Sequence, residues 1–484
     1  MSPAADIPAA LSSAPVIAVA REALAGSSAW VVGGALRDAA LGREVIDVDL
    51  AVQEGAEESS ARASAAAAGG FAFSLSERFA TWRVSSRESD WQLDLAPLRG
   101  GSIEADLGTR DFTINAMGLA LADAGDPSAE LLDPFSGLAD LDLGMLRAVS
   151  VRSFAEDPLR ITRAARFGAS LELEIDARTV ELARDDARRC AEPAGERVFA
   201  ELRAIMLGPR PLRGLEILEH VRASAVLLPE LDQLRGITQT PYHHLDAHGH
   251  SLEVLQRYIE LQADLPAVLG DELADEVSGS LERPLADEMT RGGALRFAAL
   301  LHDIGKSATR TVTVEGRVSF MGHDRVGADM TREICARLRT SRRFADFVAS
   351  TTLNHLRLGF LVHHQPLSRR SVFEYLRATE PEAVDVTVLT VADRLATHGG
   401  RTKPEAIEAH LALAREMLSE ALAWERTGPP RAPIRGDELA SELGIEPGPT
   451  LGRLLGEIEA AMFAGEVSSR DEAVELAASR VAAD

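Results

Sequence analysis

Two aspartates one residue apart are the first place where this sequence could do chemistry. Asp47 and Asp49 lie in VVGGALRDAALGREVIDVDL, Val31 to Leu50. Side chains alternate along a strand, so both carboxylates leave one face about 7 Å apart at the backbone. Carboxylates converging in this way can hold two divalent cations roughly 4 Å apart, the arrangement that serves in-line displacement at phosphorus. Gly33 and Gly34 let a polyphosphate approach bare backbone, and Arg37 can neutralise it. A third acid is expected on a neighbouring strand, and Asp94 in Leu93-Asp94-Leu95 is placed to supply it. The alternative for Asp94 is an ordinary solvated strand residue. Arg110, Asp111 and Asn115 punctuate GTRDFTINAMGLAL. There Asp111 can accept from a ribose hydroxyl and Asn115 can brace the loop, although Thr109 and Asp111 can equally cap a helix.

A second constellation is suited to reading a base. Asp157 and Arg160, in FAEDPLR, are three residues apart and are predicted to share one helical face. A carboxylate accepts from an exocyclic amino group, and a guanidinium donates to a ring nitrogen or carbonyl. Cytosine and adenine present an amino group beside an acceptor nitrogen; uracil and guanine present the reverse. One Asp/Arg pair therefore admits C and A and leaves buried polar groups unpaired against U and G. A surface ion pair with a helix cap is the bland alternative. Arg163 and Arg166 continue the row and could line a channel. From Arg152 to Arg213 twelve arginines face eleven acids, so this stretch is neutral within a chain of net charge −24. Such an acidic chain has no general affinity for nucleic acid, and an RNA partner must meet a local basic groove.

A third set is spread over the C-terminal half: His250 in HGHSLEVL, His302-Asp303 in FAALLHDIGK, His323, His355 and Asp393. Neutral imidazoles and carboxylates suit a divalent transition metal or magnesium. His323 and His355 could complete a second metal or touch a phosphate, as could Lys306, one of only two lysines. A lone histidine on an apolar helix is usually a satisfied core residue, but this many in order argue for a metal centre.

Elements must position these groups. Residues 15–148 read as mixed α/β: a strand Ala29–Val32, a helix carrying Arg37, the Asp47/Asp49 strand, a helix over 56–69, then strands FAFSL, FATWRVSS and WQLDLAPL. From Val151 onward apolar residues recur at helical spacing. The acidic segment 264–293 is expected to be an exposed insertion, and 427–436 a linker to a small helical tail. With 484 residues the chain exceeds one core. Two cysteines, no long apolar run and no basic start to the N-terminal apolar stretch predict a cytoplasmic protein without disulfides or membrane spans.

GGALRD, DVD, RDFTINAM, DPFSGLADL, EDPLRITRAARF and GERVFAEL, in this order, resemble the class II tRNA nucleotidyltransferases, which comprise CCA-adding enzymes and bacterial poly(A) polymerases. The histidine set resembles the ligands of an HD metal domain. The resemblance implies an α+β chain with a polymerase-β-like head (15–148), an all-α neck carrying the nucleotide-selecting template (149–235), an HD body (236–427) and a helical tail (428–484). It implies that Asp47, Asp49 and Asp94 are catalytic, with magnesium on Asp47 and Asp49. Gly33, Gly34, Arg37, Arg110, Asp111, Asn115, Asp157, Arg160, Arg163 and Arg166 would bind nucleotide, and Arg197 and Glu201 would support the neck. His250, His302, Asp303 and Asp393 would hold a divalent metal of unspecified identity. The expected partners are tRNA, CTP and ATP, and the expected reaction is addition of CMP and AMP to the tRNA 3′ end. A poly(A) polymerase, a CC- or A-adding specialist, and an HD phosphohydrolase with an idle head are the competing expectations. The family usually has two arginines before the aspartate, and here Thr109 stands in the first position.

Overall fold

The structure is a computed structural model that describes residues 3–77, 80–87 and 90–482. The chain divides into two compact units, Met1–Leu227 and Leu228–Asp484.

In the first unit, six strands form one sheet: β1 (Ala29–Val32), β2 (Asp47–Val52), β3 (Phe71–Ser76), β4 (Thr81–Ser85), β5 (Gln92–Pro97) and β6 (Gly118–Ala120), in the order β3-β4-β5-β2-β1-β6. The expected FATWRVSS strand begins at Phe79, outside the described residues; its described part is β4. The β2–β5 pair is parallel and its neighbours are antiparallel. Parallel neighbours need a crossover, supplied here by the helix Glu57–Ala67 and the β3–β4 hairpin. Period-two alternation fixes which side is buried. Val48, Leu50, Leu93, Leu95 and Val84 face the helices Pro15–Ala23, Gly34–Ala40 and Glu57–Ala67 in one core. Leu93 and Leu95 are fully buried, worth about 2 kcal/mol each. The odd-numbered acids of β2, Asp47 and Asp49, are thereby held on the opposite, open face.

Beyond the sheet, the helices Leu159–Ser170, Gly195–Leu207 and Pro211–His220 pack together. Gly214 allows the last contact, since a Cβ there would lie 2.4 Å from Ile205 Cγ2. The helix Leu159–Ser170 buries Ile161, Ala164, Ala165 and Phe167 and turns Arg160, Arg163 and Arg166 away from that core.

The second unit is helical apart from two short hairpins, among the described residues. Helices Ala247–Ala263, Arg291–Leu301, Arg342–Asn354 and Ala383–Leu395 enclose its core. Segment 264–293 is not an exposed insertion. It forms helices Leu265–Leu269 and Asp271–Leu281 and a small hairpin, burying Leu265, Leu269, Ala274, Val277 and Leu281. Helical spacing of those apolar residues outweighed the acidic and glycine signals. The helix Pro404–Thr427 ends where the linker was expected, and helices Gly436–Leu443, Pro449–Phe463 and Arg470–Val481 build a small core of their own. Phe463 fixes this tail to the body by packing on Phe373 and Trp424 at ring distances of 5.8 and 5.7 Å. No helix among the described residues is long and apolar enough to cross a membrane.

Candidate active site and candidate metal centre

All thirteen candidate residues of the N-terminal half line one cleft of about 570 Å³. Its floor is the open face of β2 and β5, where Asp49 and Asp94 are register partners. Gly33 has φ +76°, and a Cβ there would sit 2.8 Å from Arg110 Nη1 and 3.0 Å from Asp49 Oδ2. Only glycine fits that turn between β1 and the helix Gly34–Ala40. Asp49 meets solvent through the mouth of the cleft. The cleft walls raise its carboxyl above the ordinary range, with Asp94 and Asp47 adding to the effect and Arg110 and Arg163 opposing it. Asp47 is raised for the same first reason, with Asp94 and Asp38 against Arg83. The mutual repulsion of these carboxylates is one that a bound cation would relieve.

The remaining groups are held by one another. Asp94 is gripped by Arg83 of β4, with Nε and Nη2 each donating to one carboxylate oxygen at 2.7 Å. Each oxygen of the expected third acid thus accepts one hydrogen bond and keeps a second lone pair. Arg37 donates to Asn115 Oδ1 at 2.7 Å and pairs with Asp38 at 2.8 Å. Asn115 in turn donates to Asp111 Oδ1 at 3.0 Å, the expected brace. Buried Asp111 accepts from Arg163 Nη2 at 2.7 Å and from Phe112 N at 2.8 Å. Desolvation alone would raise its carboxyl, but Arg163, Asn115 and Phe112 hold it below the usual range. Arg160 donates to the carbonyl of Thr109 at 2.6 Å and to Ser153 Oγ at 3.1 Å. Thr109 thus contributes a backbone anchor, which needs no arginine side chain.

Asp157 is not on the helix. It is extended (φ −143°, ψ 100°) just ahead of Pro158, and its Oδ2 accepts from Arg197 Nη2 at 3.1 Å. Asp157 and Arg160 nevertheless reach the same cleft wall. Arg166 pairs with Glu201 at 2.6 Å, and its guanidinium lies 4.2 Å from the Phe167 ring centroid. Arg83, Asp106 (paired with Arg110 at 3.1 Å) and Phe167 escaped the sequence reading. For Phe167 a signal existed: it follows Arg163 by four residues, one helical turn on.

The histidine set forms a second site, inside the second unit. Asp303 is its hub. Oδ2 lies 3.1 Å from His302 Nε2 and 3.6 Å from His250 Nε2; Oδ1 lies 3.2 Å from His323 Nε2 and 3.7 Å from His355 Nε2. Asp393 Oδ1 is 3.0 Å from His250 Nε2. His302, His323 and His355 each place Nδ1 2.6–2.9 Å from the backbone carbonyl three residues back. That contact fixes the proton on Nδ1 and turns the Nε2 lone pair inward. The buried Nε2 atoms of His302 and His323 have no hydrogen-bond partner among the described residues. Lone pairs facing carboxylate oxygens need a cation between them, so the donors fit a divalent metal. Burial opposes ionisation of Asp303 and Asp393, yet Lys306 beside Asp303 and His250 Nε2 beside Asp393 favour both carboxylates, which lie well below the usual range. Lys306 contacts Asp303 and donates to Gln239 Oε1 at 2.6 Å. Above the cluster opens a cavity of about 1570 Å³, with Arg317, Arg325, Arg394 and Arg401 in its walls. Gln239 and His243, which also line it, were not anticipated.

A mixed sheet presenting paired acids to an arginine-walled cleft, followed in sequence by a helical unit with a His/Asp cluster, defines a polymerase-β-like nucleotidyltransferase with an HD domain. Residues 29–147 match the family described as "Poly A polymerase head domain", 172–234 "Probable RNA and SrmB- binding site of polymerase A", and 247–398 "HD domain". An "A-adding tRNA nucleotidyltransferase" of Deinococcus radiodurans is 36% identical, covering 92% of this chain and 94% of that one. A "CC-adding tRNA nucleotidyltransferase" of Thermus thermophilus is 32% identical, covering 92% of each. A solved CCA-adding enzyme in complex with CTP shares the fold, with TM-score 0.62, 20% identity and 98% of both chains covered. The chain belongs to the tRNA nucleotidyltransferase family. Both its head and its HD domain use divalent metal.

Proposed function

We propose that this protein extends the 3′ end of tRNA with CMP and AMP taken from CTP and ATP, building or repairing the terminal CCA and releasing pyrophosphate. The observation that carries this reading is the convergence of Asp47 and Asp49 with Arg110, Arg160, Arg163 and Arg166 on one cleft. Asp47 and Asp49 would hold magnesium, which when bound activates the attacking 3′-hydroxyl and stabilises the leaving pyrophosphate. Gly33 keeps the floor low enough for the triphosphate, and Arg110 faces it from beside Asp49. Asp157 and Arg160 select the base. Each now bonds within the protein, so an incoming cytosine or adenine must replace those partners with equivalent ones. Uracil and guanine cannot, and they leave the groups unpaired. Asp94, register partner of Asp49 and oriented by Arg83, would be the third catalytic acid.

The names of the two relatives above favour a second reading, a specialist that adds only CC or only A. A poly(A) polymerase would use the same acids with a different stopping rule. A tRNA ending before CCA, incubated with CTP, ATP, and both, separates these by product length. Growth by C, C and then A is expected; addition stopping after CC, or starting only on a CC end, identifies a specialist.

The division into head 15–148, neck 149–235, HD body 236–427 and tail 428–484 is the functional organisation we assign, although residues 228–235 fall in the second compact unit. His250, His302, Asp303 and Asp393 would hold the HD metal, and the cavity above them, where four arginines meet Glu315 and Asp324, supports hydrolysis of a phosphoester. Phosphate release without added nucleotide tests that activity. Two buried, unpaired cysteines, Cys190 and Cys335, support a cytoplasmic location.

A further inference from the structure

The open face of the sheet does not stop at the acids. Across the strands, Asp49 lies in register with Asp94, Asp94 with Arg83, and Arg83 with Phe73. The adjacent row runs from Asp47 through Gln92 and Ser85 to Phe71. Each aspartate of β2 therefore shares a lateral row with one phenylalanine of the edge strand β3. The residues between them, Ala72, Val84, Leu93 and Val48, point to the helix-covered side, where Val84, Leu93 and Val48 are buried. Phe71 and Phe73 are instead 51% and 40% exposed, and their rings are stacked at 6.0 Å with 26° between planes. Large aromatics left in solvent on a sheet face are uncommon unless something covers them.

We propose that Phe71 and Phe73 form a stacking platform for the unpaired bases just upstream of the RNA 3′ end. This rests on the nucleotidyl-transfer reading, which places the 3′-hydroxyl at Asp47 and Asp49. Three strand steps separate Phe73 from Asp49, about 15 Å, a span of a few nucleotides. Arg83 spends its charge on Asp94, so the platform is apolar and electrically quiet. It suits base faces, while the neighbouring carboxylates keep phosphates turned outward. Aromatics on an open sheet face bind single-stranded RNA in this way, without strict sequence preference. Two rings and the 45% exposed Leu75 of the same strand, beside a row of acids, still make too small an apolar area for a stable protein interface.

The test compares wild type with Phe71→Ala/Phe73→Ala and with Phe71→Tyr/Phe73→Tyr, using tRNA ending before CCA. The alanine pair is expected to raise KM for RNA about tenfold, which is about 1.4 kcal/mol. KM for CTP and the melting temperature should be retained, and the tyrosine pair should restore RNA affinity. In tRNA ending in CC, where the third nucleotide from the 3′ end is unpaired, a 2-aminopurine at that position should be quenched by wild type and not by the alanine pair. Unchanged KM for RNA with unchanged quenching overturns the platform, as does a shift in self-association that leaves RNA binding intact. A wild-type enzyme that adds nothing to the tRNA ending before CCA would instead refute the underlying transferase reading.

Discussion

Gly33 shows how tightly single residues are set in the cleft. Its positive φ and the nearness of Arg110 and Asp49 leave no place for a Cβ. Gly33→Ala is expected to cost about 1 kcal/mol of stability but far more activity, because the added methyl displaces the groups that face the triphosphate. Denaturation and nucleotide incorporation measured on the same preparation check this; full activity would show that the turn has slack. Asp111 gives a pH-dependent case. Its carboxyl is held below its ordinary value by Arg163, so the stability it contributes is present above pH about 4 and is lost as pH falls through the lowered folded value. Asp111→Asn leaves the partly exposed Arg163 only its longer pairing with Glu201 at 3.8 Å and should cost about 1–2 kcal/mol near neutrality. Urea unfolding of both proteins should show that gap narrowing below pH 4, and a gap constant with pH would argue against the pair. Most of these residue types could be read from the sequence. Their present partners could not: Arg83 meets Asp94 only because β4 pairs with β5 in one register, which no local pattern encodes.

At the level of elements, alternation along β2 was legible because Val48 and Leu50 announce the buried side. The helix carrying Arg160, Arg163 and Arg166 was legible from its apolar spacing. Its start was misjudged. Pro158 pushes the residue before it into extended backbone, so Asp157 reaches the cleft from a loop and is anchored by Arg197. Segment 264–293 was misread because its charges were weighted above its helical apolar spacing. Arg160 ties this helix to the loop at Thr109 and Arg110. Arg160→Ala should therefore relax base selection, raising UTP incorporation relative to CTP by about tenfold or more. Single-nucleotide assays would measure it, and discrimination equal to wild type would remove Arg160 from the template.

For the whole molecule, a chain of net charge −24 presents a confined arginine-lined cleft, where the proposed function has it meet RNA and nucleotides. The two sites lie in separate compact units with separate cores, so their metal requirements should separate as well. His302→Ala is expected to remove bound metal from the HD cluster and lower the melting temperature while CMP incorporation continues. Metal analysis alongside incorporation tests this, and loss of both together would mean that the HD centre serves the transfer reaction. The proposed transfer reaction depends above all on the cation anchor of β2. Incorporation of labelled CMP into tRNA ending before CCA, by wild type and by Asp49→Ala across a range of magnesium concentrations, examines that anchor most directly. Loss of at least a thousandfold, not recovered at any magnesium concentration, is the predicted result; sustained incorporation by Asp49→Ala would contradict it.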